Sequence, residues 1–130
     1  MIFFIPLKKI PTVTSQEKGV TVTNGKPHVY KTAKIKQAEE LFCAHLAKYA
    51  PEKPLQGAIR LRVHWCFPAD GKHEDGDWKI TKPDTDNLQK IFKDCMTRVG
   101  FWNDDSQVAF EVILKYYDIN SGIAVFVEEV

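Results

Sequence analysis

Asp86-Asn87-Leu88-Gln89-Lys90-Ile91-Phe92-Lys93-Asp94-Cys95-Met96-Thr97-Arg98-Val99-Gly100 is the stretch on which the fold turns. Leu88, Ile91, Phe92, Cys95, Met96 and Val99 recur at three- and four-residue steps, the period of a helix that buries one stripe. Asp86 suits the N-cap and Gly100 the residue just past the C-terminus, so the pattern predicts a helix over 87–99. On its N-terminal side, residues 58–67 read as a strand with Ile59, Leu61, Val63, Trp65 and Phe67 on one face and Arg60, Arg62, His64 and Cys66 on the other. On its C-terminal side, residues 106–117 alternate through Val108, Phe110, Val112, Leu114 and Tyr116 as a second strand. Asn120-Ser121-Gly122 then turns the chain into a last strand over 123–127, expected to pair back on it as a hairpin.

Farther out, Ile35, Ala38, Leu41, Phe42, His45, Leu46 and Tyr49 predict a helix over 32–49, with Thr32 as N-cap and Pro51 beyond its end. Ile2 to Ile5 reads as a short buried strand stopped by Pro6. Residues 6–31 read as irregular apart from Val20-Thr21-Val22-Thr23, one arm of a hairpin turning at Asn24-Gly25. Residues 68–82 form a polar, acid-rich loop. Strands and helices are interspersed without a regular βαβ cadence, which predicts an α+β class: one domain over 1–130, with a small mixed sheet of four to five strands and two main helices.

The chain has 130 residues, long enough to bury a core without disulfides or a structural metal. Cys43, Cys66 and Cys95 are an odd number, widely spaced, with no zinc-type pattern, and read as reduced thiols. The apolar opening Met1 to Ile5 is too short for a membrane span or a signal core, so the expectation is a cytoplasmic protein with no membrane partner. The net charge of +1 hides an asymmetry: residues 1–60 hold ten Lys/Arg against four Asp/Glu, and residues 61–130 hold eight against thirteen. A basic half to hold phosphate and an acidic half to hold cations fits this split, and so do two ordinary solvated faces.

Acids bracket the central helix. Asp84 and Asp86 precede it in Lys82-Pro83-Asp84-Thr85-Asp86-Asn87, and Asp104 and Asp105 follow it in Trp102-Asn103-Asp104-Asp105-Ser106-Gln107. A helix of this length carries the chain ~20 Å away. Gly100 to Asp105, if extended at ~3.3 Å per residue, spans about the same distance and is long enough to bring Asp104 or Asp105 back beside Asp84 and Asp86. Carboxylates crowded in this way call for a hard cation such as Mg²⁺, which takes oxygen ligands and substrate phosphate. The absence of soft ligands argues against zinc. Lys90 lies one turn past Asp86, placed either to stabilise charge on a reacting phosphate or simply to pair with Asp86 and Asp94 on the surface. Taken singly, Asp86 is also a plain N-cap, and Asp104-Asp105 a plain turn before a strand.

Lys82-Pro83-Asp84-Thr85-Asp86-Asn87-Leu88, then Lys90, then Gly100, Trp102 and Asp104-Asp105-Ser106-Gln107-Val108 resemble the RusA family of phage- and prophage-borne Holliday junction resolvases. The match is strongest over 82–108. It extends more loosely to the first strand, to Tyr30-Lys31-Thr32 and to the strand at 58–67. The resemblance implies a homodimer that nicks a four-way DNA junction symmetrically at two Mg²⁺-dependent sites, with Mn²⁺ as a substitute, in DNA recombination and repair. It assigns Asp84, Asp86 and Asp105 as essential acids, Lys90 as the supporting lysine and Asp104 as a lesser ligand; the residues themselves do not choose between Asp104 and Asp105. Lys8 and Lys9 stand where relatives often carry arginines, and they give phosphate point contacts, not forked ones.

Candidate phosphate contacts are Lys8, Lys9, Lys26, Lys31, Lys34 and Lys36, with Arg60 and Arg62 on the outward face of their strand. Two other readings stay open at this stage: a broader branched-DNA or flap endonuclease, and a non-catalytic DNA-binding module whose acids only cap. His28, His45, His64 and His73 have no metal-ligand spacing to one another. Of these, His73 in the acidic loop is the one best placed to touch substrate.

Overall fold

The computed structural model describes residues 1–12 and 18–130. In chain order the elements are β1 (Ile2–Pro6), β2 (Lys18–Thr23), β3 (Lys26–Lys31), α1 (Ala33–Leu46), β4 (Ile59–Pro68), α2 (Thr85–Arg98), β5 (Val108–Asp118) and β6 (Gly122–Glu129). A four-stranded sheet runs in the order β1-β6-β4-β5, and β2 and β3 form a separate two-stranded ribbon. β4 pairs parallel with β5 and antiparallel with β6, so the sheet is mixed and the class is α+β, as the sequence predicts.

The helices cover one face of the sheet. Trp65 on β4, Phe42 on α1 and Phe92 on α2 meet edge to face, with ring centroids 5.2–5.9 Å apart. Around them Leu46, Ile59, Leu61, Val63, Leu88, Cys95, Met96 and Val125 are fully or almost fully buried. This is the apolar face of β4 and the apolar stripe of α2 read from the sequence. β4 is flanked by strands on both sides, and its alternation puts Ile59, Leu61, Val63, Trp65 and Phe67 on the face the helices cover.

α1 starts where expected: the Thr32 hydroxyl accepts from the Ile35 amide at 3.4 Å. It ends at Leu46, three residues before Tyr49, whose ring instead stacks on Phe3 at 4.4 Å. β1 is half-buried rather than buried: Phe3 and Ile5 face the core, and Ile2 and Phe4 face out. In the stretch expected to be irregular, Lys26–Lys31 forms the second arm of the hairpin, turning through Asn24 (φ 52°) and Gly25 (φ 75°). A turn with two positive φ values matches the twist of the strands it joins. Residues 13–17 of that stretch lie outside the described residues.

Two expectations about the sheet are corrected. β6 does not pair with β5; it pairs with β1 and β4, and β4 separates the two. β4 and β5 are joined through α2, so β5 runs parallel to β4 and β6 takes the opposite edge of β4. Most of the alternating stripe Val108, Phe110, Val112, Leu114 and Tyr116 also faces away from the helices. From Phe110 onward its register partners on β4 are Arg60, Arg62, His64 and Cys66, so that part of the stripe lies on the open face of the sheet, while Val108, before the register shift, pairs with Ile59 and packs against the core. There the aliphatic and aromatic surface lies under guanidinium groups, with Arg60 over Phe110 and Arg62 over Phe126, 5.1 and 4.1 Å from the ring centroids.

Candidate active site

Asp84 and Asp86 sit together at the N-terminus of α2. The helix begins at Thr85, two residues earlier than the sequence suggests, so Asp84 and not Asp86 holds the N-cap position. The backbone of Asp84 does the capping work: its carbonyl accepts from the Leu88 amide at 3.1 Å, while its carboxylate makes no capping hydrogen bond. Asp86 falls within the first turn. Both side chains are exposed and both lie where the helix dipole favours negative charge. The plain-cap reading of Asp86 therefore fails, and neither carboxylate is consumed by the helix.

The segment carrying these acids is pinned by a residue that sequence reasoning passed over. Lys115 lies on the helix-covered face of β5, and its Nζ donates to the carbonyls of Thr81 at 2.6 Å and Pro83 at 2.8 Å. Burial and neighbouring Lys79 push its pKa down, and Asp84 partly opposes them. A lone lysine in the run Ile113-Leu114-Lys115-Tyr116-Tyr117 was the available signal. Lys79 reinforces the loop: its ammonium lies over the Phe67 and Tyr117 rings and donates to Thr81 Oγ1 at 2.9 Å. His73 stacks on Tyr117 at 4.1 Å and pairs with Asp70 at 2.9 Å, so it is held within the loop. The hydrogen bond from His73, joined by the Lys72 and His73 amides, keeps the Asp70 carboxyl below its ordinary value.

Asp104 and Asp105 lie at the other end of α2. Gly100 (φ 94°) ends the helix with paired bonds, its own amide to the Thr97 carbonyl and that of Phe101 to Met96. The chain does not run back along the helix, because Phe101 and Trp102 bury at that end and Trp102 Nε1 donates to Thr97 Oγ1 at 2.7 Å. Gln107 then donates to the carbonyls of Leu55 and Gly57 at 3.1 Å, and β5 begins. Asp104 is used as a cap: its Oδ1 accepts from the Ser106 amide at 2.9 Å, and this bond holds its carboxyl below the ordinary range. Gln107 closes the box by accepting from the amides of Asn103 and Asp104.

The convergence expected of the four acids therefore does not occur within one chain. Among the described residues no group of three or more Asp, Glu, His or Cys side chains is close enough to hold a metal ion. The pair Asp84 and Asp86 supplies hard oxygen ligands of the kind Mg²⁺ takes, and the third acid is missing from that end. Lys90 is 3.6 Å from Asp94, the surface pair weighed for it.

The candidate phosphate-binding lysines come from separate segments of the chain. Lys9 and Lys34 line one groove with Pro11, Gln37 and Leu41. Lys26 and Lys31 lie on the exposed β2–β3 ribbon, where Tyr30 lies across Gly19 and a methyl group on Gly19 would strike its ring. Lys31 also reaches Glu39 at 2.7 Å. Lys8 and Lys36 are exposed.

A family model described as endodeoxyribonuclease RusA matches residues 9–128. The chain belongs to the RusA endodeoxyribonuclease family. The chain is 30% identical over 130 residues to the crossover junction endodeoxyribonuclease rusA of Lactococcus phage r1t, covering 98% of this chain and 97% of that one. It is 27% identical over 131 residues to the uncharacterized protein YqaN of Bacillus subtilis (strain 168), covering 92% and 91%. The RusA resemblance carried by residues 82–108 thus extends over nearly the whole chain, and the protein is a nuclease. No helix among its described residues is long and apolar enough to cross a membrane.

Proposed function

We propose that this RusA-family nuclease is a divalent-metal-dependent resolvase that nicks four-way DNA junctions, with Mg²⁺ as the working ion and Mn²⁺ as a substitute. The observation that carries the reading is the pair Asp84 and Asp86: two exposed carboxylates at a helix start, neither consumed by capping, on a segment clamped by Lys115. Spending two charge-assisted hydrogen bonds to fix that segment suits a site that must hold its geometry. The name of the phage relative, which shares nearly its full length with this chain, supports a four-way junction over a flap or a three-way branch.

In this reading the chain works as a homodimer in which Asp84 and Asp86 of one copy and Asp105 of the other hold the cation, which when bound polarises the phosphodiester and lowers the pKa of water. Lys90 stands one turn from Asp86 on the exposed side of α2, placed to steady negative charge on the phosphate. Lys8, Lys9, Lys26, Lys34 and Lys36 grip the backbone of the junction arms, and Lys31 shares that role with its pairing to Glu39. The reaction serves DNA recombination and repair.

The test is a synthetic immobile four-way junction incubated with and without Mg²⁺, beside three-way and flap substrates. Symmetric nicks in opposing strands, lost with chelator, are the expected result. Asp86→Asn is expected to lower nicking by at least about a hundredfold while leaving junction binding in gel shift within a few-fold. Full activity in that variant, or under chelation, sinks the reading.

A further inference from the structure

We propose that Cys43 and Cys95 form a peroxide-reactive thiol pair: Cys43 is oxidised to a sulfenic acid, and Cys95 converts it to a disulfide that ties α1 to α2. The site is independent of the function proposed above. The two thiols meet side chain to side chain between the helices. Two further contacts fix them there. Cys95 Sγ donates to the Glu39 carbonyl at 3.7 Å, and Glu39 lies one helical turn before Cys43 on α1. Arg98, three residues after Cys95 on α2, donates to Cys43 Sγ at 3.9 Å and to Glu39 Oε2 at 3.0 Å. Each helix thus grips the sulfur of the other.

The surroundings give the two sulfurs different parts. Cys43 is half-buried, where solvent reaches it, and Cys95 is fully buried. A partly exposed sulfur beside a guanidinium is the setting in which cysteines react, whereas a thiol buried in apolar surroundings is inert on its own. Burial, with Cys43 alongside, pushes the Cys95 thiol well above its ordinary value and keeps it protonated. Cys43 therefore meets the oxidant, and Cys95 acts only on the product. Cys66 supplies the contrast. It is buried on β4 with its side chain against Tyr116, and burial raises its pKa, which is the inert setting.

The Cys43 sulfur attacks one oxygen of hydrogen peroxide. The S–O bond forms, the O–O bond breaks, and the displaced hydroxide takes the thiol proton and leaves as water. Sulfur loses two electrons and peroxide gains them, which leaves Cys43 as a sulfenic acid. The Cys95 sulfur then attacks the Cys43 sulfur. The S–S bond forms, the S–O bond breaks, and the departing hydroxide takes the Cys95 proton as a second water. Sulfurs already in contact need only close to the disulfide length of about 2 Å. A dithiol reductant reverses the bond by exchange and is itself oxidised to a disulfide. The pairing protects Cys43, because a sulfenic acid with no thiol beside it goes on to a sulfinic acid that thiol reductants do not restore.

The test treats the full chain, reduced and desalted, with a few equivalents of hydrogen peroxide and counts free thiols by maleimide alkylation and intact mass. Wild type is expected to fall from three alkylated thiols to one, to yield a linked Cys43–Cys95 peptide on proteolysis, and to return to three with dithiothreitol. Cys43→Ser is expected to keep both of its thiols at the same dose. In Cys95→Ala the sulfenic acid should persist, be captured by dimedone, and at higher peroxide pass to a sulfinic acid that dithiothreitol leaves in place. Cys66→Ala leaves the pair untouched and should lose both of its thiols, a check that does not depend on replacing the buried Cys95. Wild type that keeps three thiols, a disulfide through Cys66, or one between chains overturns the proposal. The readout is thiol chemistry, so the result stands whether or not the protein cuts junctions.

Discussion

At the scale of single residues, the side chains that hold this molecule together are mostly ones whose role depends on a partner far away in sequence. Lys115 is the plainest example. Its two bonds to Thr81 and Pro83 satisfy carbonyls of a loop more than thirty residues away, so only the folded chain reveals them. Lys115→Met is expected to cost about 1.5–3 kcal/mol in urea denaturation, the range for hydrogen bonds to a charged group. It also frees the segment before Asp84, so nicking should fall more than stability does, and Lys115→Arg should recover part of it. His64 makes a second residue-level case. Burial lowers its pKa, and the nearby positive charge of Arg62 adds to this; its Nδ1 meets the Tyr116 hydroxyl at 2.9 Å while Nε2 is buried without a partner among the described residues. An imidazole depressed in the folded state is held neutral there, so the unfolded chain binds the extra proton first. Its contribution is complete above the ordinary imidazole value of about 6.5 and is lost as pH falls from there through the lower folded value. The urea midpoint should therefore drop between pH 7.5 and pH 5, and the drop should be smaller in His64→Phe.

At the scale of elements, the sequence was most legible where one periodic signal had one meaning. The stripe of α2 and the alternation of β4 were both buried as read, because a helix against a sheet and a strand between two others leave those faces nowhere else to go. β5 was legible as a strand and not in its orientation. Its apolar residues Phe110, Val112 and Leu114 alternate with Glu111, Ile113 and Lys115, and alternation alone does not say which side meets the helices. The decision comes from long-range polar links on the helix side, where Lys93 and Gln89 reach Glu111 and Lys115 reaches the loop. Gln89 is central to that arrangement. It is 1% exposed, accepts from Trp65 Nε1 at 2.9 Å and donates to Glu111, tying α2 to β4 and β5 at once. Gln89→Leu is expected to cost about 1–3 kcal/mol by leaving the indole N–H unpaired in the core. The next residue gives the contrast: Lys90→Ala should shift the urea midpoint by less than about 0.5 kcal/mol, because its pairing with Asp94 is a surface one, and should still depress nicking.

At the scale of the whole molecule, the acid pairs were readable as candidate ligands, but their placement was not. The length of 100–105 permits a return along α2. The burial of Phe101 and Trp102 and the grip of Gln107 on the carbonyls of Leu55 and Gly57 prevent it. The proposed grip on DNA is also a property of the whole: Lys8, Lys9, Lys26 and Lys36 come from different segments, and on their own each is an ordinary exposed lysine. Their joint effect is measurable through salt. Each lysine that neutralises a duplex phosphate releases condensed counterions, and contributes about 0.9 to the slope of log affinity against log salt. Replacing Lys8, Lys9 and Lys26 together by Gln should weaken junction binding at low salt and flatten that slope by about 2–3. The nicking rate at saturating junction should stay near wild type, since phosphate contacts on the arms position the junction and do not carry the chemical step. A slope that does not change removes these lysines from the DNA interface; a lost rate at saturation means they hold the scissile strand and not only the arms.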